Sequence, residues 1–219
     1  MISENILREI KASFRQAMNA DLSNSMRAHG LNYRMNFGVP SPRIKLIAER
    51  FEPGVELASY LWNEDVRESK MLATYLFPKE EMTRELAIEW VQSIRYPEIA
   101  DQVSMNLFSR LSFAGELALD WMNSDSNMIA YTGFRLQMRL LLQNGISDDA
   151  VLQQIIEATK KGVVSDVNYI AAVAISILEQ LQENEHFAKI IRSEFADWQH
   201  SDDSLQNAVY QRLTFWDNE

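Results

Sequence analysis

Apolar residues recur along this chain at three- and four-residue spacings, and one such unit is written several times. Glu56-Leu57-Ala58-Ser59-Tyr60-Leu61-Trp62 is followed by Glu85-Leu86-Ala87-Ile88-Glu89-Trp90 and then by Glu116-Leu117-Ala118-Leu119-Asp120-Trp121. A fainter echo stands at Glu194-Phe195-Ala196-Asp197-Trp198. Successive glutamates of the three full copies lie 29 and 31 residues apart. A period of this length marks an array of helical hairpins, in which one hairpin cannot bury its apolar face without the next. Leu86 and Trp90, four apart, share a helix face, and Ala87 lets a neighbouring helix approach closely. The tryptophans read as packing at the junctions between hairpins, not as platforms for stacking bases.

The same periodicity sets out the remaining elements. Ile6, Ile10, Phe14 and Met18 predict an amphipathic helix from Ser3 to about Asn19, with Ser3 as its N-cap. A short helix follows over 21–29. Gly38, Pro40 and Pro42 then break the pattern, and Ser41 can cap a helix that runs to about Phe51. Five hairpins follow: 54–63 with 65–77, 79–94 with 97–112, 114–122 with 126–143, 147–161 with 165–182, and 184–199 with 203–216. Asn63 or Asp65 can cap the second helix of the first pair. Pro97 suits the first position of its helix, and Asn144-Gly145 is a stop. The predicted fold is therefore all-α, an α-solenoid of HEAT-like helical hairpins in one domain, 1–219. Residues 1–53 would form N-terminal helices and a Gly/Pro turn, and 54–219 the repeats.

Composition narrows the classes of function. Hydrophobic residues make up 47% and charged residues 24%, as in an ordinary globular protein. With no cysteine there can be no disulfide or thiolate metal site. Neither a leader-like start nor a long apolar run is evident, so a cytoplasmic protein without membrane partners is expected. The net charge of −10 opposes long-range attraction of nucleic acid, although a local basic groove is compatible with it. His29, His186 and His200 lack the spacing of a metalloprotease helix, and no phosphate loop or nucleophile elbow is present, so no metal or cofactor is expected. Asp148-Asp149 and Asp202-Asp203 fall at helix starts and Lys160-Lys161 at a helix end, where the helix dipole accounts for them.

One helix start is more polar than its neighbours. Arg95-Tyr96-Pro97-Glu98-Ile99-Ala100-Asp101-Gln102-Val103-Ser104-Met105-Asn106 opens the second helix of the central hairpin, and second helices usually line the concave face of a solenoid. Asp101, with Gln102 and Asn106, is the candidate site read from the residues.

The run Met35-Asn36-Phe37-Gly38-Val39-Pro40-Ser41-Pro42-Arg43, the Leu61-Trp62 pair and Val66-Arg67-Glu68 resemble the DNA alkylation repair (AlkD-like) family over roughly residues 15–140. The resemblance implies a HEAT-like repeat protein whose groove holds double-stranded DNA and, in active members, excises N3- or N7-alkylated purines. It places the family's catalytic aspartate on Asp101. The tryptophan one turn earlier has no counterpart, Tyr96 or Pro97 standing there. The family's catalytic arginine falls near Tyr131, with Arg135 one turn on, and a later groove tryptophan falls near Ile175. The resemblance thus implies Asp101 as electrostatic stabiliser, Arg95, Arg135 and Arg139 as DNA backbone contacts, and Tyr96, Gln102, Asn106 and Tyr131 lining the groove. Whether glycosylase activity goes with this reduced set is left open. A second reading is a non-catalytic scaffold that binds a protein or peptide in its concave face.

Overall fold

The structure is a computed structural model that describes residues 2–146 and 148–214. Among these residues it is all-helical, and strand pairing is limited to an isolated parallel bridge between Met35 and Val66. The helices gather into two compact units, Met1–Leu111 and Ser112–Glu219.

The first unit begins with α1 (Glu4–Gln16), capped as predicted by Ser3, whose Oγ accepts from the Asn5 N–H at 3.3 Å. It buries Ile10 and Phe14 completely. Helix α2 (Ala20–Ala28) is capped by Asn19, whose Oδ1 accepts from the Leu22 N–H at 2.9 Å. The Gly/Pro segment then folds back over α2. Gly38 has φ +68°, and a Cβ there would lie 2.2 Å from the Asn19 carbonyl oxygen, so the turn requires glycine. Helix α3 (Ser41–Ala48) is preceded by Pro40, which takes the cap position expected for Ser41.

Two hairpins complete this unit: α4 (Val55–Asn63) with α5 (Arg67–Leu76), and α6 (Arg84–Gln92) with α7 (Pro97–Asn106). The repeated Leu-Ala-Trp motif joins them. The rings of Trp62 and Trp90 stack at 4.0 Å with an interplanar angle of 7°, and Phe77 meets Trp90 edge-on at 5.2 Å. Ala58 and Ala87 are fully buried beneath them. The expected cap of α5 is not formed by Asn63 or Asp65. Val66 holds the cap position, because the chain enters α5 through the bridge to Met35, whose N–H donates to the Asp65 carbonyl at 3.2 Å. The Asp65 carboxylate instead accepts from the Arg34 N–H at 3.0 Å.

The second unit holds α8 (Ala114–Met122), α9 (Asn127–Asn144), α10 (Asp149–Gly162), α11 (Asn168–Gln182), α12 (Glu185–Glu194) and α13 (Ser204–Thr214). Helices α8 and α9 touch so closely that a Cβ on Gly133 would lie 2.4 Å from the Met122 nitrogen. Helix α9 ends ahead of Gly145, as the sequence predicts. Asp148 caps α10 by accepting from the Ala150 N–H at 2.8 Å; Ser147, expected to open this helix, lies outside the described residues, as does Trp216 at the expected end of the last one. Lys160 reaches from the end of α10 over the rings of Phe195 and Trp198, at 5.3 and 5.6 Å. The faint fourth copy of the motif is therefore also a packing seam.

Candidate nucleic-acid interface

The start of α7 is held by a buried ionic cluster that begins in the sequence as Arg67-Glu68. Neither side chain is more than 1% exposed. Glu68 accepts from the Phe37 N–H at 3.1 Å, from the Val39 N–H at 3.2 Å and from Arg67 Nη1 at 2.9 Å. Arg67 also donates to the Val39 carbonyl at 2.8 Å, and grips Glu98 in the first turn of α7 with both Nε (2.8 Å) and Nη2. Burial pulls the guanidinium pKa down, but the hydrogen bonds and charge of Glu98, then of Glu68, outweigh it and leave it above its ordinary value. The glycine turn, α5 and α7 are thereby fixed to one another.

Above this cluster Tyr33 and Tyr96 lie with ring centroids 4.7 Å apart. Tyr96 is the N-cap residue of α7, and its hydroxyl accepts from the Asn32 N–H at 2.9 Å. The exposed Arg95 guanidinium sits 5.8 Å from both rings and pairs with Asp65. Tyr33 is buried and its hydroxyl has no hydrogen-bond partner among the described residues; burial, and then the charge of Glu98, push its pKa well above 10. Lys70 is buried beside Trp62, with its Nζ 5.0 Å from the ring, and burial followed by repulsion from Arg95 lowers its pKa.

Asp101 is half-buried one turn beyond Pro97. Gln102 and Asn106 turn toward α5: the Asn106 amide donates to Thr74 Oγ1 at 2.9 Å and to Gln102 Oε1 at 3.3 Å, and the Tyr75 hydroxyl reaches Gln102 at 3.5 Å. Both side chains therefore bind α7 to α5. Of the other candidates, Tyr131 is buried on α9 with its ring edge-on to Tyr169 at 5.0 Å. Arg135 and Arg139 follow it on α9, both half-buried, and Arg139 Nε is buried without a hydrogen-bond partner among the described residues. The structure thus brings Arg95 to Tyr96 and Gln102 to Asn106, and places Tyr131, Arg135 and Arg139 on one helix of the second unit. Reading the sequence for chemistry missed Tyr33 and Asp65, the partners that engage Arg95 and Tyr96. It noticed Arg67-Glu68 only as a family signature, although two adjacent charges opening an otherwise buried helix signal a paired internal cluster.

No group of three or more His, Asp or Glu side chains suited to a metal occurs among the described residues. No helix among them is long and apolar enough to cross a membrane.

Residues 10–159 match the family model described as DNA alkylation repair enzyme. The chain belongs to the DNA alkylation repair family. The matched span includes the glycine turn, the Arg67–Glu68–Glu98 cluster and the Asp101 helix, so the geometry above describes the family's part of the chain. A solved structure is similar over 87% of this chain and 83% of its own, with a TM-score of 0.71 at 17% identity. That protein is described as belonging to "a new family of proteins related to the HEAT-like repeat DNA glycosylases with affinity for branched DNA structures". At this identity the likeness speaks to the fold, and with the helical hairpins it makes the chain a HEAT-like repeat protein of the DNA alkylation repair family. No curated protein matches the chain.

Proposed function

We propose that this member of the DNA alkylation repair family binds double-stranded DNA, with the start of α7 at the interface, and that it engages the backbone without excising bases. The observation that carries the reading is the state of the aromatic groups around Asp101. Excision of a cationic alkylpurine needs a carboxylate together with open aromatic faces beside the departing base. Here Pro97 stands one turn before Asp101, and Tyr96 is committed to Tyr33, Arg95 and the Asn32 amide. What remains at this edge is an exposed guanidinium backed by two rings, suited to a phosphate that can compete with Asp65. The described affinity of the structural neighbour for branched DNA supports the same reading.

Excision by Asp101 is a second reading, favoured by its half-buried place in the first turns of α7, where the helix dipole stabilises a carboxylate. Two measurements separate the readings: fluorescence anisotropy of a labelled duplex, and release of methylpurine from alkylated DNA. The proposal expects saturable, salt-sensitive binding, no release above background, and an Asp101→Asn variant that binds as well as the parent or slightly better. Release that Asp101→Asn abolishes would establish excision instead. An absence of binding even at low salt would leave the scaffold reading, in which a protein or peptide is the partner.

A further inference from the structure

The charge of this chain is unevenly placed. The first fifty residues hold eight Lys and Arg against four Asp and Glu, a net +4 within a chain of −10. These residues form α1 to α3, and between α1 and α3 lies a cleft of about 130 Å³. Its walls are Ser13, Gln16, Arg43 and Arg50, over Leu46 and Ile47. Arg43 lies on α3 and Arg50 two residues past its end, and both line this cleft. Arg50 is already oriented: Nη1 donates to Ser13 Oγ at 3.0 Å and Nη2 to Glu9 at 2.8 Å. Ser13 donates in turn to the Glu9 carbonyl at 2.9 Å, so its lone pairs face Arg50. Arg43 is exposed and makes no hydrogen bond or ion pair among the described residues.

We propose that this cleft is a phosphate-binding pocket that takes a phosphodiester of the DNA backbone. Two guanidinium groups supply the forked donors that match a tetrahedral oxyanion, and Arg50 loses little freedom on binding because Ser13 and Glu9 already hold it. Leu46, half exposed on the floor, offers an apolar contact that free phosphate cannot use but a deoxyribose can. The cleft is separate from the Asp101 helix and is built on elements that no catalytic reading of α7 involves. The assignment of the phosphate to DNA rests on the DNA-binding reading above; the pocket itself does not.

The test uses the full chain in two arms. In the first, sodium phosphate is titrated against the arginine Nε–Hε NMR signals, with chloride at matched ionic strength as reference. Saturable shifts of Arg43 and Arg50, lost in Arg43→Gln, are expected. In the second, duplex affinity is measured across salt for Arg43→Gln and for Arg8→Gln, an equal charge change at an exposed residue paired with Glu4 on α1. Arg43→Gln should weaken binding several-fold and reduce the salt slope by about one, while Arg8→Gln stays within about twofold of the parent. Shifts that do not saturate, or equal effects of the two variants, would overturn the pocket. Phosphate binding in a parent that fails to bind duplex would uphold the pocket while removing the DNA reading.

Discussion

At the scale of single residues, the buried Arg67–Glu68–Glu98 cluster governs what this protein tolerates. Glu68 accepts from two backbone amides of the glycine turn and one arm of Arg67, so a glutamine there sets an NH2 group against at least one buried donor and halves the cluster's negative charge around Arg67. Glu68→Gln should therefore cost about 3–5 kcal/mol in urea denaturation. A loss below about 1 kcal/mol would mean that the cluster does not anchor the turn. Tyr33 presents the opposite case, a buried hydroxyl with no hydrogen-bond partner among the described residues. Tyr33→Phe should leave stability at neutral pH within about 1 kcal/mol of the parent. Because the folded pKa of Tyr33 lies above its unfolded value of 10, the folded state holds the phenolic proton more tightly. Its contribution is fully present below pH 10 and is lost as pH rises beyond that. The parent should lose stability above pH 10 more steeply than Tyr33→Phe, as read from urea midpoints at several alkaline pH values. Parallel curves would contradict this.

At the scale of elements, the repeated Leu-Ala-Trp motif does what its spacing suggests. Trp62 and Trp90 come from consecutive copies and stack face to face, with Ala58 and Ala87 buried below. Trp90→Ala should remove both the stack and the edge contact with Phe77, costing about 3–5 kcal/mol, with a matching loss of near-ultraviolet circular dichroism. An unchanged spectrum would show that the seam is not rigid. Gly38→Ala would add left-handed strain of about 1–3 kcal/mol to a clash with the Asn19 carbonyl, and a thermal midpoint equal to the parent's would refute that geometry. These elements were legible because helical periodicity, proline and glycine act locally. The cap of α5 was not legible: Asp65 is a good cap by type, yet the distant strand-like pairing of Met35 with Val66 commits it to Arg34 and Arg95. The candidate site was readable to the same limited degree. Sequence order placed Asp101 on α7, but the use of Gln102 and Asn106 to hold α5, and of Tyr33 to engage Tyr96, depends on residues about 30 to 60 positions away.

At the scale of the molecule, an acidic chain of −10 belongs to a family whose name ties it to DNA. The conflict is resolved by distribution: the first fifty residues carry a net positive charge, and Arg95 is presented at the start of α7. Short-range contacts with phosphates can prevail over an unfavourable mean field when salt screens the latter within about 8–10 Å. The dependence of binding on salt should therefore be shallower than for a basic protein of this size.

The central claim is that the family fold binds duplex DNA here. Anisotropy of a labelled duplex at about 50 mM and about 200 mM salt tests it most directly. Saturable binding at the lower salt that weakens at the higher is expected; no binding at the lower salt would contradict the account.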